Sequence, residues 1–225
     1  MSAFDKIIGY QSLKTELERL CDVVKHKEKY QILGVTPPRG LILYGDPGVG
    51  KTLIANCFIE ESGRKVFVCR KNLPDEKFVE HIKEIFEKAK NAAPSIILFD
   101  DLDKFANEDE KHKNAETYVT VQACMDDAKE MDVFVIATAN EYYLLPDSLL
   151  RAGRLEIKME ITNPSMADAE KIIEHYLKQK NYVGNIDAKY LSRLLNDNNC
   201  ATLESVINNA GIYAGYERKE KITQD

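Results

Sequence analysis

The chain has 225 residues, with 31 basic side chains against 37 acidic ones and a formal net charge of −6. Apolar residues make up 44%, enough to bury the core of one large domain or of one medium and one small domain, and the acidic balance argues against a dedicated nucleic-acid binder. No apolar run approaches the about 20 residues that span a membrane, and the N-terminus lacks an apolar signal core.

In chain order, Leu41-Ile42-Leu43-Tyr44 reads as a short buried strand. The octet Gly45-Asp46-Pro47-Gly48-Val49-Gly50-Lys51-Thr52 follows and fits Gly-x-x-x-x-Gly-Lys-Ser/Thr. Leu53 to Ile59 reads as the start of a helix. Strand, loop and helix form the context in which glycines let backbone N–H groups wrap a polyphosphate. In that reading Lys51 carries charge to the β- and γ-phosphates, and the Thr52 hydroxyl holds Mg²⁺. The bland alternative, a chance glycine-rich turn, is disfavoured by a second nucleotide motif downstream.

Strands are predicted near 66–68, 96–99, 133–137 and 156–161. Between the first two, Phe78, Val79, Ile82, Ile85, Phe86 and Ala89 recur at helical spacing. The run Ser95-Ile96-Ile97-Leu98-Phe99 ends in Asp100-Asp101, placing carboxylates at the strand end where open α/β sheets bind ligands. Asp100 then supports Mg²⁺ and Asp101 orients or deprotonates the attacking water. Taken alone, a core strand followed by a solvated acidic turn explains the same residues. The charged stretch 107–114 reads as a solvated, mobile loop, with a pore-lining role as the weaker reading. The strand near 133–137 leads to Asn140, which suits either a γ-phosphate contact or a turn. Arg151 and Arg154 are surface charges or guanidinium partners of a transferring phosphate. Past a hinge at Asn163-Pro164 the pattern turns helical. One stripe is Ala169, Ile172, Ile173, Tyr176 and Leu177. Asp187 is a candidate N-cap before Tyr190, Leu191, Leu194 and Leu195. A last stripe is Leu203, Val206, Ile207, Ala210 and Tyr213. Alternating strands and helices imply a parallel sheet covered on both faces. The expected organisation is an α/β nucleotide-binding domain over 1–163 and a small helical lid over 164–225.

These pieces, in this order, resemble the AAA+ ATPases, specifically the AAA family proper, nearly end to end. The resemblance rests on Phe4-Asp5-Lys6-Ile7-Ile8-Gly9, on Gly34-Val35-Thr36-Pro37-Pro38-Arg39-Gly40 ahead of the loop, on the two nucleotide motifs, on Asp147 to Glu156, and on Cys200-Ala201-Thr202-Leu203. It implies a five-stranded parallel sheet sandwiched by helices, with a helical lid. It also implies binding of ATP or ADP with Mg²⁺ along Asp46, Pro47, Gly48, Val49, Gly50, Lys51, Thr52 and Leu53. Asn140 falls at the family's sensor position. Arg151 and Arg154 map onto the two arginine fingers that reach a neighbour's site in a homo-oligomeric ring, a hexamer by resemblance, with a monomeric isolated module left open. Adenine sits between lid and main domain in the family, so Ile7, Ile8, Ile172 and Tyr176 are pocket candidates; Ile172 and Tyr176 equally suit lid core. A protein substrate is implied; no nucleic acid is expected.

Three departures matter. The acidic pair is usually Asp-Glu, and Asp101 is one methylene shorter. Asp46 stands where proline is common, and an acid beside a polyphosphate is unfavourable unless it faces solvent. The segment Arg70 to Phe78 lacks the family's aromatic-hydrophobic-Gly pore triplet; Pro74 and Asp75 read instead as a helix start. A slow nucleotide-dependent assembly switch therefore stands beside a motor as an alternative. The five cysteines have no Cys-x-x-Cys spacing and read as reduced thiols of a cytoplasmic protein, and the four histidines form no His-Glu-x-x-His motif.

Overall fold

The computed structural model describes residues 2–71, 73–106 and 115–224. Its centre is one sheet of five parallel strands: β1 (Gly40–Tyr44), β2 (Lys65–Cys69), β3 (Ser95–Phe99), β4 (Val133–Ala139) and β5 (Ile157–Glu160). They lie in the order β2-β3-β4-β1-β5, so every strand delivers its carboxyl end to the same edge. Helices α1 (Gln11–Lys25) and α2 (Lys27–Ile32) precede β1; α3 (Lys51–Ser62), α4 (Asp75–Asn91) and α5 (Ala115–Asp127) are the crossovers that follow β1, β2 and β3.

The inner strands are apolar on both faces because helices cover both. Successive side chains of a strand point to opposite faces. Ile42, Ile97, Phe99, Val135 and Ala137 thus pack with Phe78, Ile82 and Phe86 of α4 and Val121 and Met125 of α5. Their neighbours Leu41, Leu43, Ile96, Leu98, Phe134 and Ile136 pack with Leu17 and Leu20 of α1 and Ile54 and Phe58 of α3. β2 is an edge strand, and its Val66 and Val68 stay exposed. All five predicted strands are present, with ends shifted by up to two residues. No element was predicted over 11–32, although Leu13, Leu17, Leu20, Cys21 and Val24 supply the helical stripe that buries α1.

Beyond β5, α6 (Met166–Leu177), α7 (Ala188–Leu194) and α8 (Cys200–Tyr216) close around Ala169, Ile173, Leu177, Leu203 and Ile207. Each begins at a side-chain cap: Ser165, Asp187 and Asn199 accept hydrogen bonds from the N–H groups of Asp168, Tyr190 and Thr202. The predicted third stripe holds only in part. Val206 and Tyr213 are exposed, since α6 and α7 cover just the Leu203–Ile207 side of α8. The charged stretch 107–114 lies outside the described residues.

Arg154 does not reach outward, which corrects the expectation of two projecting arginines. It is 4% exposed. Its Nε and Nη2 donate to the two carboxylate oxygens of Asp126 at 3.2 and 2.6 Å, and Nη1 donates to the Ser148 carbonyl. A buried guanidinium needs such a fork of acceptors. Arg151, three residues earlier, is exposed.

Two predictions follow from this packing. Gly45 has φ +143°, and a Cβ on it would sit 2.1 Å from the Ile161 carbonyl oxygen. Gly45→Ala therefore lowers the unfolding free energy in urea by at least about 1–3 kcal/mol, the scale of one strained backbone site. Arg154→Ala costs about 1–3 kcal/mol by the same measurement, because it strips Asp126 of its bidentate, buried partner and leaves only the exposed Lys129 beside it. The Arg154 guanidinium holds the Asp126 carboxyl down from 3.8 to about 2. Its contribution is complete above 3.8 and is lost as pH falls through about 2, so melting curves across that acid range flatten in Arg154→Ala.

Candidate active site

The loop joining β1 to α3 delivers Lys51 as the first residue of the helix, and the side chain is buried. Its Nζ donates to the carbonyl oxygens of Gly45 and Asp46, both at 2.7 Å, which leaves one of three N–H donors for a ligand. Burial lowers the ammonium pKa, and the nearby carboxylates of Asp101, Asp103, Asp46 and Asp100 oppose that shift. Asp46 itself is exposed. The lid is tied directly to this loop. Asn199 Nδ2 donates to the Pro47 carbonyl at 2.9 Å, and the Ala201 N–H donates to the Gly48 carbonyl at 3.1 Å. Gly48 has φ +84°, and a Cβ there would stand 2.7 Å from the Asn199 amide nitrogen.

The acids gather at the carboxyl edge of the sheet. Asp100 Oδ1 accepts from the Thr52 hydroxyl at 3.1 Å and from the Thr138 hydroxyl at 2.8 Å. Its Oδ2 accepts from Arg70, Nε at 2.9 Å and Nη2 at 2.8 Å. Asp101 takes a left-handed backbone, φ +58°, held by its N–H donating to the Thr138 hydroxyl at 2.9 Å. The Asp101 carboxylate is ion-paired to Lys104, one turn on, and that hydrogen bond raises the lysine's pKa. Asp103 is buried, and its Oδ2 accepts from the N–H groups of Asn140 and Glu141 at 3.1 and 2.9 Å, fixing the backbone past β4.

Two connected cavities border these groups. A cavity of about 450 Å³ is lined by Pro47, Gly48, Gly50, Lys51, Thr52, Leu53, Asp101, Lys104 and Asn140, with Tyr176, Cys200, Ala201 and Glu204 from the lid side. A narrower, more apolar cleft of about 80 Å³ is lined by Ile7, Ile8, Tyr10, Val49, Leu53, Ile54, Ile172, His175, Tyr176 and Cys200. The four predicted pocket residues Ile7, Ile8, Ile172 and Tyr176 come together here, and Ile172 belongs to the lid core as well. Arg151 and Arg154 line neither cavity.

Several neighbours of the site carried no predicted role. Thr138, Arg70, Lys104 and Tyr10 are distributed over four segments, and only the strand register and the lid bring them together. Asp103 and Lys104 lie directly after the acidic pair, yet a third acid and a lysine in a turn look like solvated charge. Tyr10, whose hydroxyl donates to the Thr162 carbonyl at 2.9 Å and sits 3.5 Å from Cys200 Sγ, gave no signal at all.

The family model described as "ATPase family associated with various cellular activities (AAA)" matches residues 41–163, more than half of the chain. Among curated relatives, the ATP-dependent zinc metalloprotease FtsH of Mycoplasma pneumoniae is 32% identical over 99% of this chain and 33% of its own length. The chloroplastic ATP-dependent zinc metalloprotease FTSH of Nicotiana tabacum is 29% identical over 99% of this chain and 33% of its own. The YME1 homolog of Caenorhabditis elegans is 31% identical over 98% and 32%. The chain thus spans about a third of the length of these relatives. No helix among the described residues is long and apolar enough to cross a membrane. The family model covers more than half of the chain, over the parallel sheet and the acids at its carboxyl edge: the chain belongs to the AAA family of ATPases.

Proposed function

We propose that this chain is an ATP-hydrolysing module whose main unit spans 1–163 and whose lid spans 164–225, coupling nucleotide turnover to conformational work on a protein partner. The observation that carries the reading is the meeting of Lys51, Thr52, Asp101 and Asn140 around one cavity, with Asp100 directly behind Thr52 and hydrogen-bonded to it. Adenine fits the apolar cleft between Ile7, Ile8, Ile172 and Tyr176, and the phosphates fit the loop from Asp46 to Leu53. Hard oxygen donors suit Mg²⁺, and the Thr52 hydroxyl and Asp100 carboxylate, 3.1 Å apart, are the residues that would hold it. When bound, the metal supplies charge neutralisation at the β- and γ-phosphates. Lys51 turns its third N–H toward the same oxygens. Asp101 accepts the proton of the attacking water, after releasing Lys104, and Asn140 steadies that water or the γ-phosphate. Arg151, exposed, serves as the finger toward a neighbour's nucleotide in a homo-oligomeric ring. The free thiols of all five cysteines suit a cytoplasmic setting.

A second reading, a slow nucleotide-dependent assembly switch, is favoured by one observation. Both acids of the Asp100-Asp101 pair are bound to a cation of this chain, Asp100 to Arg70 and Asp101 to Lys104, and Asp101 is the shorter acid. A motor hydrolyses faster when assembled; a switch binds ATP and scarcely turns over.

Lys51→Ala is expected to lose ATP binding while keeping its fold; wild-type affinity in a titration with a fluorescent ATP analogue would remove the phosphate-loop assignment. Asp101→Asn retains ATP and loses about 10²–10⁴ of the hydrolysis rate. Lys104→Ala raises that rate by up to roughly fivefold, the scale of one exposed ion pair. Arg151→Ala lowers assembled activity by about 10³–10⁵. Mixing it with Lys51→Ala protein restores phosphate release, because intact fingers then meet intact sites; an Arg151→Ala protein that hydrolyses ATP like wild type under assembling conditions is incompatible with the finger.

A further inference from the structure

A nucleotide has its base at one end, its phosphates at the other and its sugar between them. The apolar cleft and the phosphate-side cavity meet at Gly50, Leu53, Tyr176 and Cys200, which line both. The sugar must lie at that junction. On its lid side the Tyr176 hydroxyl of α6 donates to Glu204 Oε2 of α8 at 3.2 Å. Glu204 is one helical turn after Cys200 and so shares its face of α8, and it lines the phosphate-side cavity. The other junction residues offer little to a hydroxyl. Gly50 and Leu53 have no polar side-chain atom, and the Cys200 thiol already contacts the Tyr10 hydroxyl.

An ionised carboxylate only accepts hydrogen bonds, and it has two oxygens. The neighbouring 2′- and 3′-hydroxyls of a ribose are two donors side by side, the complement of that pair. Burial first, and then the Glu204 charge, push the Tyr176 hydroxyl up to about 12, so it stays protonated at neutral pH and keeps the carboxylate oriented. A carboxylate facing the phosphates would repel them. Glu204 is exposed, and its partner is the tyrosine at the junction with the base cleft, which places it against the uncharged sugar.

We infer that Tyr176 and Glu204 form a sugar subsite that selects ribonucleotides over 2′-deoxyribonucleotides, with Glu204 accepting from the ribose hydroxyls and Tyr176 positioning it. This rests on the nucleotide reading of the phosphate loop and adds a specificity to it. Calorimetric titration with ATP and with 2′-deoxy-ATP, both with Mg²⁺, tests it without relying on turnover. Wild type binds ATP about tenfold or more tightly than 2′-deoxy-ATP, the scale of a hydrogen bond to a charged group. Glu204→Ala weakens ATP more than 2′-deoxy-ATP, which has only its 3′-hydroxyl bond to lose, so the two affinities converge while the melting temperature is kept. Tyr176→Phe narrows the preference by a smaller factor. Equal affinities in wild type, or an unchanged ratio in Glu204→Ala, overturn the subsite while leaving the phosphate-loop reading intact. Failure of folded wild type to bind either nucleotide overturns both.

Discussion

The hydroxyl of Thr138 is the joint on which the site's geometry depends. It donates to Asp100 Oδ1 and accepts from the Asp101 N–H, so one oxygen fixes one acid by its side chain and the next by its backbone. The register of the sheet makes this possible. Phe99 pairs with Ala137, which sets Asp100 beside Thr138, and Cys69 pairs with Phe99, which sets Arg70 beside Asp100. Three adjacent parallel strands thereby present a cation, a carboxylate and a hydroxyl in a row. The left-handed turn at Asp101 is tolerated because the Thr138 bond and the buried Leu102 after it leave the chain no easier path.

That row also explains where the charge goes. A cluster of acids beside the Lys51 ammonium needs compensation within the chain. Arg70 and Lys104 provide it from the solvent side, both largely exposed. The Lys104–Asp101 pair is open to solvent on both sides and so weakly held, on the order of 0–1 kcal/mol, whereas Arg70 reaches in to a carboxylate that is itself only 11% exposed. The Arg154 pair is of the opposite sort, inward and bidentate, and it belongs to the packing of the segment after β4 against α5.

What could be read from the sequence was what is encoded locally. The glycine-rich octet, the apolar run ending in two acids, and the change from strand-helix alternation to helices alone each lie within a few consecutive residues. The five strands, the burial of the Phe78 to Ala89 stripe and the gathering of Ile7, Ile8, Ile172 and Tyr176 around one cleft follow from such patterns and from the family likeness. What could not be read depends on pairs far apart in the chain. Arg70 meets Asp100 only through strand order, Tyr10 meets Cys200 only after the lid folds back, and Arg154 turns inward only because Asp126 ends α5 beneath it. A guanidinium in a sequence carries no sign of which way it will point.

The bonds from Asn199 and Ala201 to the loop after β1, and those from Tyr10 to Asp168 and Cys200, attach the three last helices at points besides the chain crossing at Asn163. A door held on its hinge and also at its latch cannot swing without releasing the latch. Each such hydrogen bond contributes only about 0.5–1.5 kcal/mol. Whatever stiffens the loop also favours the latched lid, and whatever loosens the loop frees it. Any shift of that loop is thereby passed to the helical arm through two main-chain carbonyls, those of Pro47 and Gly48, rather than through a side chain of the acidic cluster.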